Sequence, residues 1–102
     1  MEYFSGRLGL GGAREQAAEL RFEGVLGRSF VEFVKARAER LGLKGWVQDI
    51  GPSVLVLVEG PEALVDSFEI TCSLGPISSH VSSWVRSERS PGSNAAGFEH
   101  RH

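Results

Sequence analysis

Histidine and serine side chains are the first residues in this chain whose types could carry chemistry. His80, His100 and His102 could ligate a metal ion, but no cysteine or carboxylate accompanies them at ligand spacing, so we predict no metal site. His80 also stands in a serine-rich run that could supply a nucleophile, Ser78, Ser79, Ser82 and Ser83. Adjacent residues of a strand point to opposite faces and no acid lies nearby to orient the imidazole, so we interpret this run as polar decoration of a strand.

Cysteine and glycine offer two further motifs. Cys72 is the only cysteine, so an internal disulfide is excluded, and without basic neighbours we predict an inert thiol in a reducing compartment. The run Gly9-x-Gly11-Gly12 has the composition of a nucleotide loop, but no strand precedes it. We predict that it belongs to a flexible, glycine-rich leader over residues 1–15.

Composition limits the class of protein. The 102 residues are 41% hydrophobic and 24% charged, which predicts one domain, over residues 16–102, around a single core. The formal net charge of −2 offers no general attraction for nucleic acid or anionic lipid. The longest apolar run, Val54 to Val58, is too short to span a membrane, and the first residues do not form a signal peptide. We therefore predict a cytoplasmic protein that binds no nucleic acid, no membrane and no cofactor.

The first half of the domain predicts a strand, a helix and a hairpin. Apolar and charged residues alternate from Glu19, and apolar residues then recur at helical spacing, at Phe30, Val34, Ala38 and Leu41. A capping box of Ser29 with Glu32 is expected to begin this helix, and Gly42 to end it. Two strand-like runs follow on either side of a Gly51-Pro52 turn, and the second is apolar throughout, as in a central strand.

The second half completes a recognisable topology. Pro61 at a first helical position starts a helix of about three turns that ends before Gly75-Pro76. Alternation over residues 80–86 predicts another strand, and residues 97–102 form either a short closing strand or a frayed end. The order β-α-β-β-α-β predicts an α+β fold, a ferredoxin-like sandwich with two helices on one face of an antiparallel sheet.

Along this topology the sequence resembles the acylphosphatase family. The match is densest over residues 41–49, LGLKGWVQD, and continues at VEGPE of residues 58–62, Phe68, Gly75-Pro76 and GFE of residues 97–99. It covers residues 19–102. The resemblance implies hydrolysis of acyl phosphates to a carboxylate and phosphate.

The resemblance also implies where the functional residues fall. The family's loop, Gly-x-Val-Gln-Gly-Val-x-Phe-Arg, corresponds here to EGVLGRSFV over residues 23–31. Its phosphate-binding arginine falls on Val31, and the asparagine that orients the attacking water falls on Asp49. The candidate anion loop comprises Leu26, Gly27, Arg28, Ser29, Phe30 and Val31.

These replacements predict a weakened enzyme. Valine supplies no guanidinium to the transferring phosphoryl group, and such arginines contribute roughly 10³–10⁵ in rate. The Asp49 carboxylate about 4 Å from a phosphate dianion would cost on the order of 4 kcal/mol per charge pair. A Ser29–Glu32 capping box would occupy the same backbone donors. We therefore expect an acylphosphatase-like domain with lost or severely weakened hydrolysis that acts by protein interaction or weak binding of a phosphate-type anion.

One alternative keeps the activity. A changed loop path could direct Arg28 into the cradle, with Ser29 beside it and Asp49 as an ion-pair partner or as the general base for water. With this rearranged site, the protein would be an active acylphosphatase.

The uncovered sheet face is the candidate surface for a homodimer or another protein partner. Either Leu55 and Leu57, or Val54, Val56 and Val58, must point away from the helices. Trp84 is predicted to share that face because Val81 and Val85 have the parity of the covered side. A cluster of Leu55, Leu57 and Trp84 would be an association surface, unless the C-terminal segment or the leader folds over it.

Overall fold

The computed structural model describes residues 14–92 and 95–102, and confirms the predicted α+β sandwich. The elements are β1 Glu15–Val25, α1 Gly27–Arg40, β2 Lys44–Asp49, β3 Ser53–Pro61, α2 Glu62–Leu74, β4 His80–Arg89 and β5 Phe98–Arg101. They form a five-stranded sheet in the order β4-β1-β3-β2-β5, with both helices packed on it. Every strand pair is antiparallel except β2 with β5, which is parallel. The end of the chain thus forms the closing strand.

Strand β1 begins earlier than predicted. Glu15, the last residue of the predicted leader, is its first residue and pairs with Pro61. Ala17 and Ala18 are buried, which explains why pairing extends through this stretch. Residues 1–13, including the Gly9-x-Gly11-Gly12 run, lie outside the described residues.

The start of α1 differs from the prediction, and the capping box is absent. The helix begins at Gly27, follows the buried Leu26, and has no side-chain cap. Ser29 therefore lies within the first turn, where its Oγ lies 2.9 Å from Ser78 Oγ. The buried Leu26 takes the N-cap position, three residues earlier than the Ser29 signal indicated.

The predicted end of α1 is confirmed. Gly42 adopts a left-handed φ of +71° and donates its N–H to Glu39 O at 3.1 Å. Leu43 donates to Ala38 O at 2.9 Å, which completes a Schellman motif. This closed end turns the chain directly into β2.

Strand β3 is the central strand, as predicted, and resolves which residues face the helices. Its buried valines, Val54, Val56 and Val58, point into the core, whereas Leu55 and Leu57 are half-buried on the opposite face. Pro61 is the last residue of β3 rather than the first of a helix, and α2 follows it at Glu62.

A β-bulge reverses the predicted facing of β4. Glu23 pairs with Ser83 but Gly24 pairs with Val81, so Ser82 is an extra residue in the strand. A one-residue insertion moves every later side chain to the other face. The alternation read from the sequence is therefore wrong beyond Ser82.

Trp84 consequently lies on the helix-covered face, and its assignment to the open face is wrong. It pairs with the fully buried Phe22 and donates from Nε1 to Glu69 Oε2 on α2 at 2.8 Å. Val85 takes the open-face position instead and is 63% exposed.

The core fills the space between the sheet and the two helices. Phe22 of β1 packs edge-on against Phe30 of α1, with ring centroids 5.3 Å apart. Phe68 of α2 packs against Phe98 of β5 at 6.2 Å. The two aromatic pairs attach each helix to a different region of the sheet and thereby position the first turn of α1.

Candidate functional site

Val31 and Asp49, the two positions singled out by the resemblance, line one cavity. This α1 cavity has a volume of about 360 Å³ and is lined by Arg28, Val31, Asp49, His100, Arg101 and His102. Three elements contribute to it: the first turns of α1, the end of β2 and the end of β5. The structure therefore places Arg28 with the two predicted positions, adds Arg101, and brings in His100 and His102, which sequence reasoning considered as metal ligands and not as part of this site.

Local structure explains how these side chains converge. Arg28 and Val31 are three residues apart on α1 and so share one side of the helix. Asp49 is the last residue of β2. Because β5 runs parallel to β2 with Arg101 opposite Gln48, the chain beyond β5 arrives beside Asp49.

The candidate anion loop divides into anchoring and accessible residues. Leu26, Phe30 and Val31 are buried, whereas Gly27, Arg28 and Ser29 are exposed. Gly27 has a φ of +71°, a left-handed conformation that glycine adopts without strain. This glycine turns the chain from β1 into α1 and leaves the first backbone N–H groups of α1 at the surface.

The first turn of α1 has no side-chain cap from the described part of the chain, and it carries no acidic residue. The leading N–H groups of a helix lack partners within the helix and carry partial positive charge. The predicted obstacle from Ser29 and Glu32 is therefore removed: the Ser29 hydroxyl bonds to Ser78, and Glu32 is exposed on α1.

Asp49 is held by its own hairpin. Its Oδ1 accepts a hydrogen bond of 3.1 Å from the Gly51 N–H. Gly51 has a φ of +99°, and Ile50 N donates to Ser53 O at 3.0 Å to close the turn. The predicted Arg28–Asp49 ion pair is not among the salt bridges within 4 Å in the described residues, although both side chains line the α1 cavity.

The residues that the sequence did not assign to this site come from β5 and the chain after it. His100 and His102 face each other with ring centroids 4.5 Å apart, and Gln48 Nε2 donates to His102 O at 3.3 Å. Arg101 places Cζ 4.5 Å from the centroid of the Trp46 ring. The α1 cavity is thus lined by two arginines and one aspartate, and the guanidinium of one of these arginines, Arg101, lies over Trp46. Parallel pairing of residues 98–101 with β2, had it been predicted, would have indicated that these residues lie beside Asp49.

Gly92 and residues 95–97, which follow β4, lie against part of the open sheet face. Gly92 N donates to Glu59 Oε2 at 2.7 Å, which holds Gly92 at this face. Beyond it lies an open-face cavity of about 640 Å³, lined by Gly45, Trp46, Leu57, Ala95, Ala96, Gly97, Phe98, Glu99 and Arg101. Leu57 therefore belongs to a cavity wall, Leu55 is half-buried nearby on β3, and Trp84 lies on the other face.

Cys72 is fully buried on α2, and this burial raises its pKa to about 12 while Arg37 opposes the shift, in agreement with an inert thiol. The described residues contain no group of three or more His, Cys, Asp or Glu side chains that could hold a metal ion. Within the same described ranges, no helix has the length and apolar character needed to cross a membrane.

Comparison with known proteins identifies the family. The acylphosphatase family model matches residues 18–100. An acylphosphatase of Rhizobium meliloti is 35% identical over 85 residues, 81% of this chain and 90% of that protein. One of Rubrobacter xylanophilus is 38% identical over 79 residues, covering 76% of this chain and 71% of its own length.

Solved structures agree in fold. Acylphosphatase from Bacillus subtilis superposes with a TM-score of 0.79 at 27% identity, over 85% of this chain and 99% of the other. Full-length HypF, in a phosphate- and nucleotide-bound form, matches at a TM-score of 0.79 and 24% identity. That match covers 88% of this chain but 12% of HypF, and concerns the fold alone. On the family match, the curated relatives and the shared sandwich, this chain belongs to the acylphosphatase family.

Proposed function

We propose that this protein binds a phosphate-type anion at the α1 cavity and hydrolyses acyl phosphates far more weakly than family members with arginine and asparagine at the Val31 and Asp49 positions. The observation that carries the proposal is the uncapped first turn of α1 beside Arg28 and Val31 in the lining of one cavity. The cavity supplies attraction for the anion but lacks groups for the chemical step.

Electrostatics support the binding half of the proposal. Uncapped N–H groups at a helix start are ready donors to a phosphate oxygen. Arg28 adds a permanent positive charge to the lining, which also includes the carboxylate of Asp49, and Arg101 borders the cavity with its guanidinium over Trp46. The attraction for a phosphate dianion therefore comes from the uncapped N–H groups and Arg28, and Asp49 opposes it.

The chemical requirements support the weakened half. In hydrolysis, water attacks phosphorus while the bond from phosphorus to the acyl oxygen breaks, and the acyl group leaves as a carboxylate. Charge on the transferring group needs a fixed donor in the transition state, and the Val31 side chain has none. Asp49 can only accept hydrogen bonds when ionised, and Oδ1 already accepts one from Gly51. The water would therefore lack the donor–acceptor amide that the family resemblance assigns to this position.

A second candidate function is an active acylphosphatase with a rearranged site. Its supporting observation is that Arg28 and Asp49 line the same cavity, where a guanidinium and a general base could act on one substrate. Ser29 is not supported as a member of this site, because its hydroxyl lies 2.9 Å from Ser78 Oγ and outside the cavity lining.

The positions of Trp84 and Leu57 give less support to protein association through the open face. Trp84 lies on the helix side, and Leu57 lies behind the Ala95–Gly97 connection. On this face, the exposed Val85 and the half-buried Leu55 remain as candidate contacts for a homodimer or another partner. Sedimentation at increasing concentration tests it, and a monomer at all concentrations would exclude the homodimer.

Benzoyl phosphate turnover distinguishes the two enzymatic proposals. We expect slow turnover for the natural chain, and a gain of at least about 10² in kcat for Val31→Arg combined with Asp49→Asn. The matched control is Val31→Met with Asp49→Asn, which adds length without charge, and thermal unfolding verifies that both variants are folded. Turnover equal to that of Bacillus subtilis acylphosphatase would refute the weakened site, and its loss in Arg28→Gln would then support the rearranged one.

A further inference from the structure

Arg101 occupies an unusual position between two cavities. Its Cζ lies 4.5 Å from the centroid of the Trp46 ring on the open face. It is also the residue that the open-face cavity and the α1 cavity have in common. The guanidinium therefore stands at the boundary between an aromatic surface and the site proposed to bind an anion.

Arg101 lies at an exposed edge of the sheet. Strand β5 is an edge strand that pairs with β2 alone, and Arg101 is its last residue. No further strand of the described sheet blocks a side chain that passes around this edge from the open face to the helix face. Arg101 is exposed, and the salt bridges of the described residues do not include it.

The two environments differ in what they offer a guanidinium. A cation–π contact at an exposed site is a weak interaction. A phosphate group offers charge-assisted, two-pronged hydrogen bonds that match the guanidinium fork and are much stronger. The Trp46 face therefore holds Arg101 loosely, and a dianion in the α1 cavity would hold it firmly.

We propose that Arg101 is the guanidinium that completes the anion site, leaving the Trp46 ring for the α1 cavity when a phosphate-type anion binds. The proposal rests on the proposed anion-binding function. It gives a chain with valine at position 31 a second arginine from β5, opposite Arg28 on α1. The group recognised is a phosphoryl dianion, because its several oxygens can accept hydrogen bonds from both guanidinium groups.

The test is titration of the full chain with inorganic phosphate, followed by nitrogen-15 NMR. The backbone amides of Gly27 to Phe30 report whether the anion occupies the start of α1. The Trp46 indole N–H reports whether Arg101 leaves the ring. The Trp84 indole is an internal reference, because it is bonded to Glu69 and lies on β4 at the opposite edge of the sheet.

We expect the amides and the Trp46 indole to shift together with one dissociation constant, while the Trp84 indole stays in place. Arg101→Gln should weaken phosphate binding at least about tenfold, and its Trp46 indole should no longer respond to phosphate. Arg101→Lys should restore part of the affinity, because it keeps the charge without the planar fork. Arg40→Gln is the matched control, since it removes one positive charge at the far end of α1.

The possible outcomes distinguish failure of the Arg101 proposal from failure of the proposed anion-binding function. Amide shifts with a stationary Trp46 indole, and equal affinity in Arg101→Gln and Arg40→Gln, would overturn the role of Arg101 and leave the anion site standing. Absence of amide shifts at any phosphate concentration would overturn both. Movement of the Trp46 indole alone would place the anion on the open face and refute the proposed site.

Discussion

Arg86 donates a hydrogen bond of 2.7 Å from Nη1 to Glu69 Oε1, and thereby joins β4 to α2. Both side chains are less than one-fifth exposed, and Asp66 and Glu88 also bond to the same guanidinium at 2.9 and 2.8 Å. Burial alone would lower the pKa of Arg86, but its hydrogen bonds to Glu69, Asp66 and Glu88 raise the pKa above its ordinary value. A single cation thus holds three carboxylates in place.

Replacing Arg86 by Met is expected to lower the free energy of unfolding by about 1–3 kcal/mol, because Glu69 and its neighbours would lose their shared donor. Denaturation in urea measures the change. Lys35→Met is the control, since the Lys35–Glu39 pair is more exposed and should contribute about 0.5 kcal/mol or less. Equal effects of the two substitutions would contradict the importance of partial burial.

Two glycines distinguish backbone strain from steric clash. Gly27 has a φ of +71° with open space where a Cβ would lie, so Gly27→Ala should cost about 1–2 kcal/mol from strain alone. Gly45 has a φ of +135°, and a Cβ there would lie 1.9 Å from Leu57 O. Gly45→Ala should therefore destabilise the protein considerably more than Gly27→Ala in thermal unfolding. A similar loss for both would show that β2 can shift away from β3.

Cys72 predicts a loss of stability at alkaline pH. Burial raises its pKa from 9.0 to about 12, so the thiol ionises in the unfolded chain before it ionises in the folded one. The associated stability is complete below pH 9 and is lost as pH rises through 9 to 12, by roughly 1.4 kcal/mol at pH 10. Unfolding in urea at pH 8 and pH 10 measures this, with Cys72→Ala as the variant that should lack the extra slope. An equal slope in both proteins would contradict the prediction.

Asp49→Asn is expected to strengthen phosphate binding several-fold, because it removes the carboxylate from the lining of the α1 cavity. The asparagine oxygen can still accept from the Gly51 N–H, so the hairpin should persist. Calorimetric titration with phosphate measures the affinity. Glu62→Gln provides the charge-matched control at the start of α2, and an equal gain in that variant would point to net charge rather than to the site.

Much of the fold follows from local patterns in the sequence. The spacing of Phe30, Val34 and Ala38 predicts α1, and the unbroken apolar run of β3 predicts a strand buried on both sides. The Gly42 termination is likewise local, because left-handed φ values favour glycine at a helix end. Each of these features depends on contacts within a few residues, so the chain encodes it directly.

The facing of Trp84 and the entry to α1 depend instead on tertiary contacts. Alternation within β4 cannot reveal the extra residue Ser82, since the bulge exists only where β4 pairs with β1. The burial of Leu26 likewise moves the start of α1 ahead of the local signal at Ser29.

The residues of the candidate site also divide into those that the sequence predicted and those that only the fold brings together. The sequence by itself determined the family and predicted that Val31 and Asp49 occupy its two functional positions, because a resemblance is a property of neighbouring residues along the chain. Only the tertiary structure brought Arg101, His100 and His102 to that cavity, through parallel pairing of β5 with a strand about fifty residues earlier. The physical reason is that pairing between distant strands is selected by the energy of the whole sheet, whereas a helix end such as the one at Gly42 is decided by neighbouring residues.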